Sequence, residues 1–169
     1  MIVRQLTAAD AAQWRELRLQ ALQDAPTAFS SSYEDEVSRT TEQIAERIAT
    51  GGSNTVYFGA FEGDVLIGSV IYSRNTGIKT RHRAMLVAMY TAPEARGKGI
   101  GNALVNALIE YTHTQEGLRQ IILAVTVGND IARQMYSNAG FVNWGIDPEH
   151  LQWQGKFYDL EWMIYTITP

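Results

Sequence analysis

Two hydrophobic rhythms alternate along the chain, and the switches between them predict its elements. Residues 2–6 read as a short strand. Thr7 with Asp10 three residues on has the form of a helix start, a capping hydroxyl answered by a carboxylate. Trp14, Leu17, Ala21 and Leu22 then recur at helical spacing until Pro26 stops the helix. The polar stretch 27–38, with Ser30-Ser31-Ser32 and Glu34-Asp35-Glu36, reads as a loop. Thr41 opens a second helix, in which Ile44, Ala45, Ile48 and Ala49 share a face and which Gly51-Gly52 ends.

The middle of the chain changes to strand patterning over 55–61, 65–72 and 84–91, the first two joined by the Glu62-Gly63-Asp64 turn as a hairpin. Met85 to Tyr90 is almost continuously apolar, which predicts a strand buried on both faces. Ile100, Leu104 and Leu108, flanked by Val105 and Ile109, form the stripe of an amphipathic helix that Gly117 terminates. Strands at 121–125, 141–144 and 157–167 surround a short helix at 131–138 ended by Gly140. The strand-helix-strand run around 85–127 requires a parallel pair joined by a right-handed crossover. The expected architecture is α/β (α+β): a central mixed, mainly antiparallel sheet of about seven strands with helices on both faces. The last strand, long enough to pair with a second copy at a sheet edge, makes a homodimer an expectation.

Composition narrows the class. At 169 residues the chain fits one domain, 1–169, and 46% hydrophobic content is too apolar for disorder. A net charge of −4 supplies no chain-wide basic field for nucleic acid, so an anion site must be built locally. The absence of cysteine excludes disulfides, thiolate metal sites and a cysteine nucleophile. Three scattered histidines, His82, His113 and His150, make no metal site, and none is expected. With neither an export signal at the N-terminus nor an apolar run long enough to span a bilayer, the expected location is the cytoplasm, without membrane contact.

The most informative segment joins the central strand to the amphipathic helix: Met89-Tyr90-Thr91-Ala92-Pro93-Glu94-Ala95-Arg96-Gly97-Lys98-Gly99-Ile100-Gly101-Asn102. Alternate glycines let a ligand approach the backbone, and the first-turn N–H groups of the helix lack intrahelical partners at its positive end. This is a diphosphate cradle, with Arg96 and Lys98 adding positive charge. It is not a Walker loop, because Gly97-Lys98 is followed by Gly99 and position 92 is alanine. It is not a dinucleotide fingerprint either, because Asn102 or Leu104 stands where the last small residue belongs.

What remains, Arg-x-x-Gly-x-Gly on Arg96, Gly99 and Gly101, resembles the central motif of the GNAT superfamily of acyl-CoA N-acyltransferases. The resemblance implies that fold, acetyl-CoA as co-substrate, and diphosphate contacts from Arg96, Gly97, Lys98, Gly99, Ile100, Gly101 and Asn102. It further implies strand contacts from Met89, Tyr90 and Thr91 along the pantetheine arm. It extends to 129–141, where Asn129 would touch that arm and Tyr136, before Gly140-Phe141, would lie near the sulfur. Seven residues at about 100° bring Tyr136 back beneath Asn129 on one helix face.

Tyrosine suits the place, since a phenol with pKa about 10 can protonate a departing thiolate without ionising at neutral pH. Tyr136 is the expected general acid, and the backbone N–H of Met89 or Tyr90 the expected oxyanion donor. Relatives often carry a glutamate on the central strand as general base, and none stands in 83–91. The role is left unassigned, with Glu34 and Glu36 after the first helix, and Asp159 and Glu161 on the last strand, as candidate substitutes. The implied activity is acetyl transfer from acetyl-CoA to a small-molecule or peptide primary amine by direct attack in a ternary complex. The alternative is an acyl-CoA-binding or sensing domain without chemistry. Glu34-Asp35-Glu36 favours a cationic acceptor, whereas Arg74, Lys79, Arg81 and Arg83 would favour an acidic one if they reached the cleft. Trp144, Trp153, Phe157 and Tyr158 are candidate walls for an acceptor pocket.

Overall fold

The computed structural model describes residues 1–167; Thr168 and Pro169, the last two of the expected single-domain span, lie outside the described residues. Seven strands run in chain order: β1 (Ile2–Gln5), β2 (Thr55–Glu62), β3 (Val65–Arg74), β4 (Arg83–Thr91), β5 (Gln120–Thr126), β6 (Val142–Trp153) and β7 (Lys156–Thr166). They form one sheet in the order β1-β2-β3-β4-β5-β7-β6, antiparallel throughout except for β4 and β5. The helices are α1 (Ala11–Asp24), α2 (Tyr33–Glu36), α3 (Thr41–Thr50), α4 (Ile100–His113) and α5 (Asp130–Asn138). The mixed α/β architecture read from the sequence is the one observed.

The two sheet faces are covered by different helices. On one, α4 buries Leu104, Val105 and Leu108 completely. Tyr111 of the same helix meets Tyr72 and Phe58 edge-on at 5.2 and 5.6 Å. Burying one such aliphatic side chain is worth roughly 1.5–3 kcal/mol. Gly68 permits the approach, because a Cβ there would stand 3.1 Å from Ile100 and 3.2 Å from Leu104. On the other face α1 lays Trp14 edge-on against Tyr57 at 5.2 Å, with Ile44 and Ile48 of α3 beside it. The start of α1 is held by Asp10, which accepts hydrogen bonds from the Thr7 N–H at 2.8 Å and from both ends of the Arg4 guanidinium at 2.8 Å.

Several expectations are corrected. Residues 27–38 are not all loop: Ser32 accepts from the Asp35 N–H at 3.1 Å and the Asp35 carboxylate accepts from the Ser32 N–H at 2.9 Å, a reciprocal cap that starts α2. The amphipathic helix α4 ends at His113, short of Gly117. The strand expected at 141–144 continues to Trp153 as a long hairpin arm. That places β7 between β5 and β6, so the last strand is not an edge and the free edge on this side belongs to β6.

The central strand also differs. Ala84, Leu86 and Tyr90 are buried, but Met85, Val87, Ala88 and Met89 are only partly so. The second face of this strand borders open space, because β4 and β5 pair only from Arg83 to Met85 against Gln120 to Ile122 and then separate. A bulge drives the separation. Between the pairs Ile71 with Val87 and Ser69 with Tyr90, two residues of β4 oppose one of β3, and Ala88 takes φ 52°. Such an insertion bends its strand and withdraws it from its neighbour.

Candidate functional site

The splay opens a cleft of about 860 Å³ between the C-terminal halves of β4 and β5. Parallel strands joined by one crossover bring both C-terminal ends to the same edge, where ligands enter open α/β sheets. The turn from β4 into α4 forms one end of the cleft. Gly97 and Gly99 adopt φ 76° and 78°, a region that L side chains rarely enter, and Gly99 is the N-cap of α4 without any side-chain cap. A Cβ built at either glycine would meet nothing within 4 Å, so the loop presents bare backbone to the cleft. At Gly101 a Cβ would stand 2.6 Å from the Met135 sulfur, which explains how closely α4 and α5 approach.

Met89, Tyr90, Thr91, Arg96, Gly97, Gly99, Ile100, Gly101, Asn102, Asn129 and Tyr136 all line this cleft. Two other candidates do not. Lys98 points away, its ammonium 3.8 Å from Glu62. Glu34 is exposed on α2 and lies outside the cleft, because the short helix turns Glu36 inward instead. Glu36 is buried against Arg18 at 2.9 Å, with Arg39 3.7 Å away. Burial works to raise its pKa, but these cations outweigh it and hold the carboxyl below the usual range. Asp159 and Glu161 do not line the cleft, nor do Arg74, Lys79, Arg81 and Arg83, which belong to the region around the N-terminal end of β4. No group of three metal-ligating side chains occurs among the described residues.

Tyr136 is buried at the floor, its ring edge-on to Phe141 at 5.8 Å. Burial alone pushes its phenol well above the ordinary tyrosine value, so it stays protonated across the physiological range. Asn129 caps α5, its side-chain oxygen accepting from the Ala132 N–H at 3.3 Å. That leaves the amide's own N–H donors for other partners.

Asp24, at the end of α1, gave no signal in the sequence beyond its place before Pro26. It is the only carboxylate lining the cleft among the described residues. It accepts from the Tyr90 hydroxyl at 3.2 Å and pairs with Arg96, whose Nε donates to the Thr91 carbonyl at 3.1 Å. The Arg96 hydrogen bond holds the Asp24 carboxyl below its usual range, while burial, with Asp24 beside it, pushes Tyr90 up to about 12. Arg96 is therefore tied along the wall of the cradle. Phe29 and Thr126 complete the wall, and the Thr126 hydroxyl donates to the Thr27 carbonyl at 2.6 Å, fastening the loop after α1 to the end of β5.

The cleft thus joins a splayed parallel pair, a glycine turn that presents bare backbone and a buried phenol on the facing helix. Residues 14–141 match the model of the acetyltransferase (GNAT) family, and the chain belongs to that family. The chain is 34% identical over 82 residues to a spermidine N(1)-acetyltransferase of Vibrio cholerae, covering 48% of this chain and 47% of that protein. It thus spans about half the length of such curated relatives. The fold is that of a GNAT-family acetyltransferase of Streptococcus pneumoniae, with TM-score 0.85 and 24% identity over 98% of this chain and 99% of that one. A putative acetyltransferase of Salmonella typhimurium, solved with its cofactor acetyl-CoA, superposes with TM-score 0.87 and 20% identity over 100% of this chain and 95% of that one. No helix among the described residues is long and apolar enough to cross a membrane.

Proposed function

We propose that this chain acts as one domain that transfers an acetyl group from acetyl-CoA to a primary amine, both substrates being bound together. The observation that carries the proposal is the bare glycine turn at the N-terminus of α4, continuous with the splay of β4 from β5 and facing a buried phenol on α5. A Cβ would fill the surface that Gly97 and Gly99 leave open, so the residues present fit a diphosphate lying directly on backbone. The N–H groups of Gly99, Ile100, Gly101 and Asn102 bind it at the positive end of the helix. Backbone groups of Met89, Tyr90 and Thr91, freed from β5, hold the arm, and Asn129 contacts it from α5.

Acetyl-CoA supplies a thioester, whose acetyl carbon accepts the amine nitrogen while the carbon–sulfur bond breaks. The Met89 N–H, released by the bulge at Ala88, donates to the oxygen that gains negative charge. Tyr136 gives its proton to the departing sulfur, and the amide nitrogen gives its own to water at the mouth. With Glu34 outside the cleft and Asp24 bound to Arg96, no side chain serves as base. The acceptor reacts as its neutral fraction, about one part in a thousand near pH 7.4 for a lysine-like amine.

The test is thiol release from acetyl-CoA over a panel of amino acids, polyamines, aminoglycosides and peptides, for the wild type and Tyr136→Phe. Acceptor-dependent release, suppressed by the substitution, is expected. Calorimetric binding of acetyl-CoA without release for any acceptor would leave a binding domain and refute the transfer.

A further inference from the structure

The wall of the cleft continues beyond it across β7 onto β6. Ala124 and Thr126 line the cleft; Ala124 lies opposite Trp162, itself opposite Gly145, and Thr126 lies opposite Leu160, itself opposite Asp147. Directly opposed residues share a face of the sheet, so Trp162, the buried Leu160 and Asp147 continue the face that carries Ala124 and Thr126. Trp144, set in the bulge between Asn143 and Gly145, tilts its indole against Trp162 with centroids 6.4 Å apart and planes at 49°. His150 closes a third side, edge-on to Trp162 at 6.4 Å, its Nδ1 2.7 Å from the Asp147 carboxylate. The irregular stretch between Asp147 and Leu151 makes this possible: Glu149 takes φ 53°, and its N–H donates to Asp159 at 2.8 Å. The turn at Pro26–Ala28, which adjoins the cleft, packs against both β5 and β6.

Two features decide the chemistry. Trp144 is 55% exposed although its indole has a packing partner, so much of its face is offered to solvent. On this face the carboxylate beside the indoles is Asp147, whereas Asp159 and Glu161 alternate onto the other face of β7; residues 142–166 hold a single lysine, Lys156. Indole faces and carboxylates together attract an alkylammonium and repel an acid. The chain's basic group around Arg74 and Arg81 lines a separate hollow, outside the cleft.

We propose that Trp144, Trp162 and Asp147 form an acceptor subsite for a second positive charge, so that the preferred substrate is an alkyl amine bearing another ammonium group. One nitrogen reacts at the thioester, and the other rests on the two indoles beside Asp147. The subsite lies about two strand spacings, roughly 10 Å, from the β5 wall. This inference rests on the transfer reading, and its test separates the two.

The first measurement is kcat/KM for spermidine, whose length spans that distance, relative to butylamine, in the wild type, Trp144→Ala, Trp144→Phe and Asp147→Asn. The second is calorimetric binding of spermidine to the CoA-loaded protein, which needs no turnover. The wild type is expected to prefer spermidine. Trp144→Ala and Asp147→Asn each lower that preference, and spermidine affinity, about tenfold, while acetyl-CoA affinity moves less than twofold and Trp144→Phe retains the preference. Tenfold, or about 1.4 kcal/mol, is the scale of one partly desolvated cation on an indole face. Equal use of butylamine and spermidine by the wild type, or an unchanged preference in Trp144→Ala, overturns the subsite and leaves the transfer intact. If no amine turns over but spermidine still binds and Trp144→Ala weakens it, the transfer reading fails and the subsite stands. If Trp144→Ala converts a sedimenting dimer to monomer without altering the preference, the face belongs to a second copy instead.

Discussion

Replacing Gly99 with alanine separates what the glycine turn does for the fold from what it does for the ligand. With φ 78°, Gly99 occupies the left-handed region, where an L side chain costs about 1–2 kcal/mol. No clash adds to this, because the new methyl would meet nothing within 4 Å. Against a typical stability of about 5–15 kcal/mol the variant stays more than about 99% folded, with its melting temperature lowered by roughly 2–8 °C. The methyl stands, however, on the surface where a diphosphate must lie. Losing one charge-assisted hydrogen bond there, about 1.5–3 kcal/mol, weakens acetyl-CoA roughly 10- to 150-fold. The assay is a calorimetric titration with acetyl-CoA alongside thermal unfolding. Gly52→Ala is the control, since Gly52 has φ 55°, equal open space and a position outside the cleft. It should melt lower to a similar degree and bind normally. If Gly99→Ala binds acetyl-CoA as tightly as the control does, the ligand does not rest on this turn and the cradle is misassigned.

Tyr136→Phe should lower kcat by about 10²–10⁴, the usual span for a general acid, with acetyl-CoA affinity changed less than threefold; an unchanged kcat removes the proton donor. Because Asp24, the one carboxylate lining the cleft among the described residues, is bound to Arg96 and burial keeps Tyr136 protonated, log kcat/KM for a lysine-like amine should rise with unit slope from about pH 6 to 9. A plateau below about pH 8 would reveal a base on the protein. Asp10 is held below the usual carboxylate range chiefly by its Arg4 hydrogen bonds, so its contribution is complete above the unfolded value near 4 and fades as pH falls through the folded one. Asp10→Asn should cost about 1–3 kcal/mol at pH 7 by chemical denaturation and flatten the loss of stability between about pH 4 and 2; parallel curves would refute that linkage. Ala88→Val places a β-branched side chain at φ 52° and should impair both stability and acetyl-CoA binding, whereas Ala88→Gly should keep binding near wild type. Equal binding by the two would show that the bulge does not open the cleft.

Where local chemistry dictates structure, the sequence was readable. Helices α1, α3, α4 and α5 follow from apolar spacing with Thr7, Gly51 and Gly140 as punctuation, and the glycine turn could be located from the alternation of Gly97, Gly99 and Gly101 alone. Features that depend on two distant segments left little trace. Asp24 became a cleft residue only because α1 ends beside Tyr90 and Arg96, 66 and 72 positions away. The apolar run Met85 to Tyr90 was legible as a strand, but its second face could not be assigned, since a strand bordering a ligand cleft and one packed under a helix use the same residues. Glu34 shows the same limit: three consecutive acids cannot reveal which of them a four-residue helix turns inward, and the buried one is Glu36.

The position of the site follows from the one parallel pair. β4 and β5 run in the same direction, so the glycine turn leaving one and the turn into α5 leaving the other emerge at a common edge. A sheet paired along its whole length would close that edge with backbone hydrogen bonds. Here the bulge at Ala88 ends the pairing after Met85, and the carbonyls and N–H groups beyond it must find partners other than β5. An extended ligand arm can supply them, as a missing strand would. The proposed place of its diphosphate is where β4 turns into α4, and that of its reactive end lies deeper, where Tyr136 descends from α5. The same bulge that exposes these groups also re-aims the chain, so that Met89 faces Gly101 on α4 while Tyr90 reaches Asp24 on α1. One alanine at positive φ thus marks where the strands part, where Met89, the proposed oxyanion donor, turns to α4, and where Tyr90 turns to Asp24, the partner of Arg96.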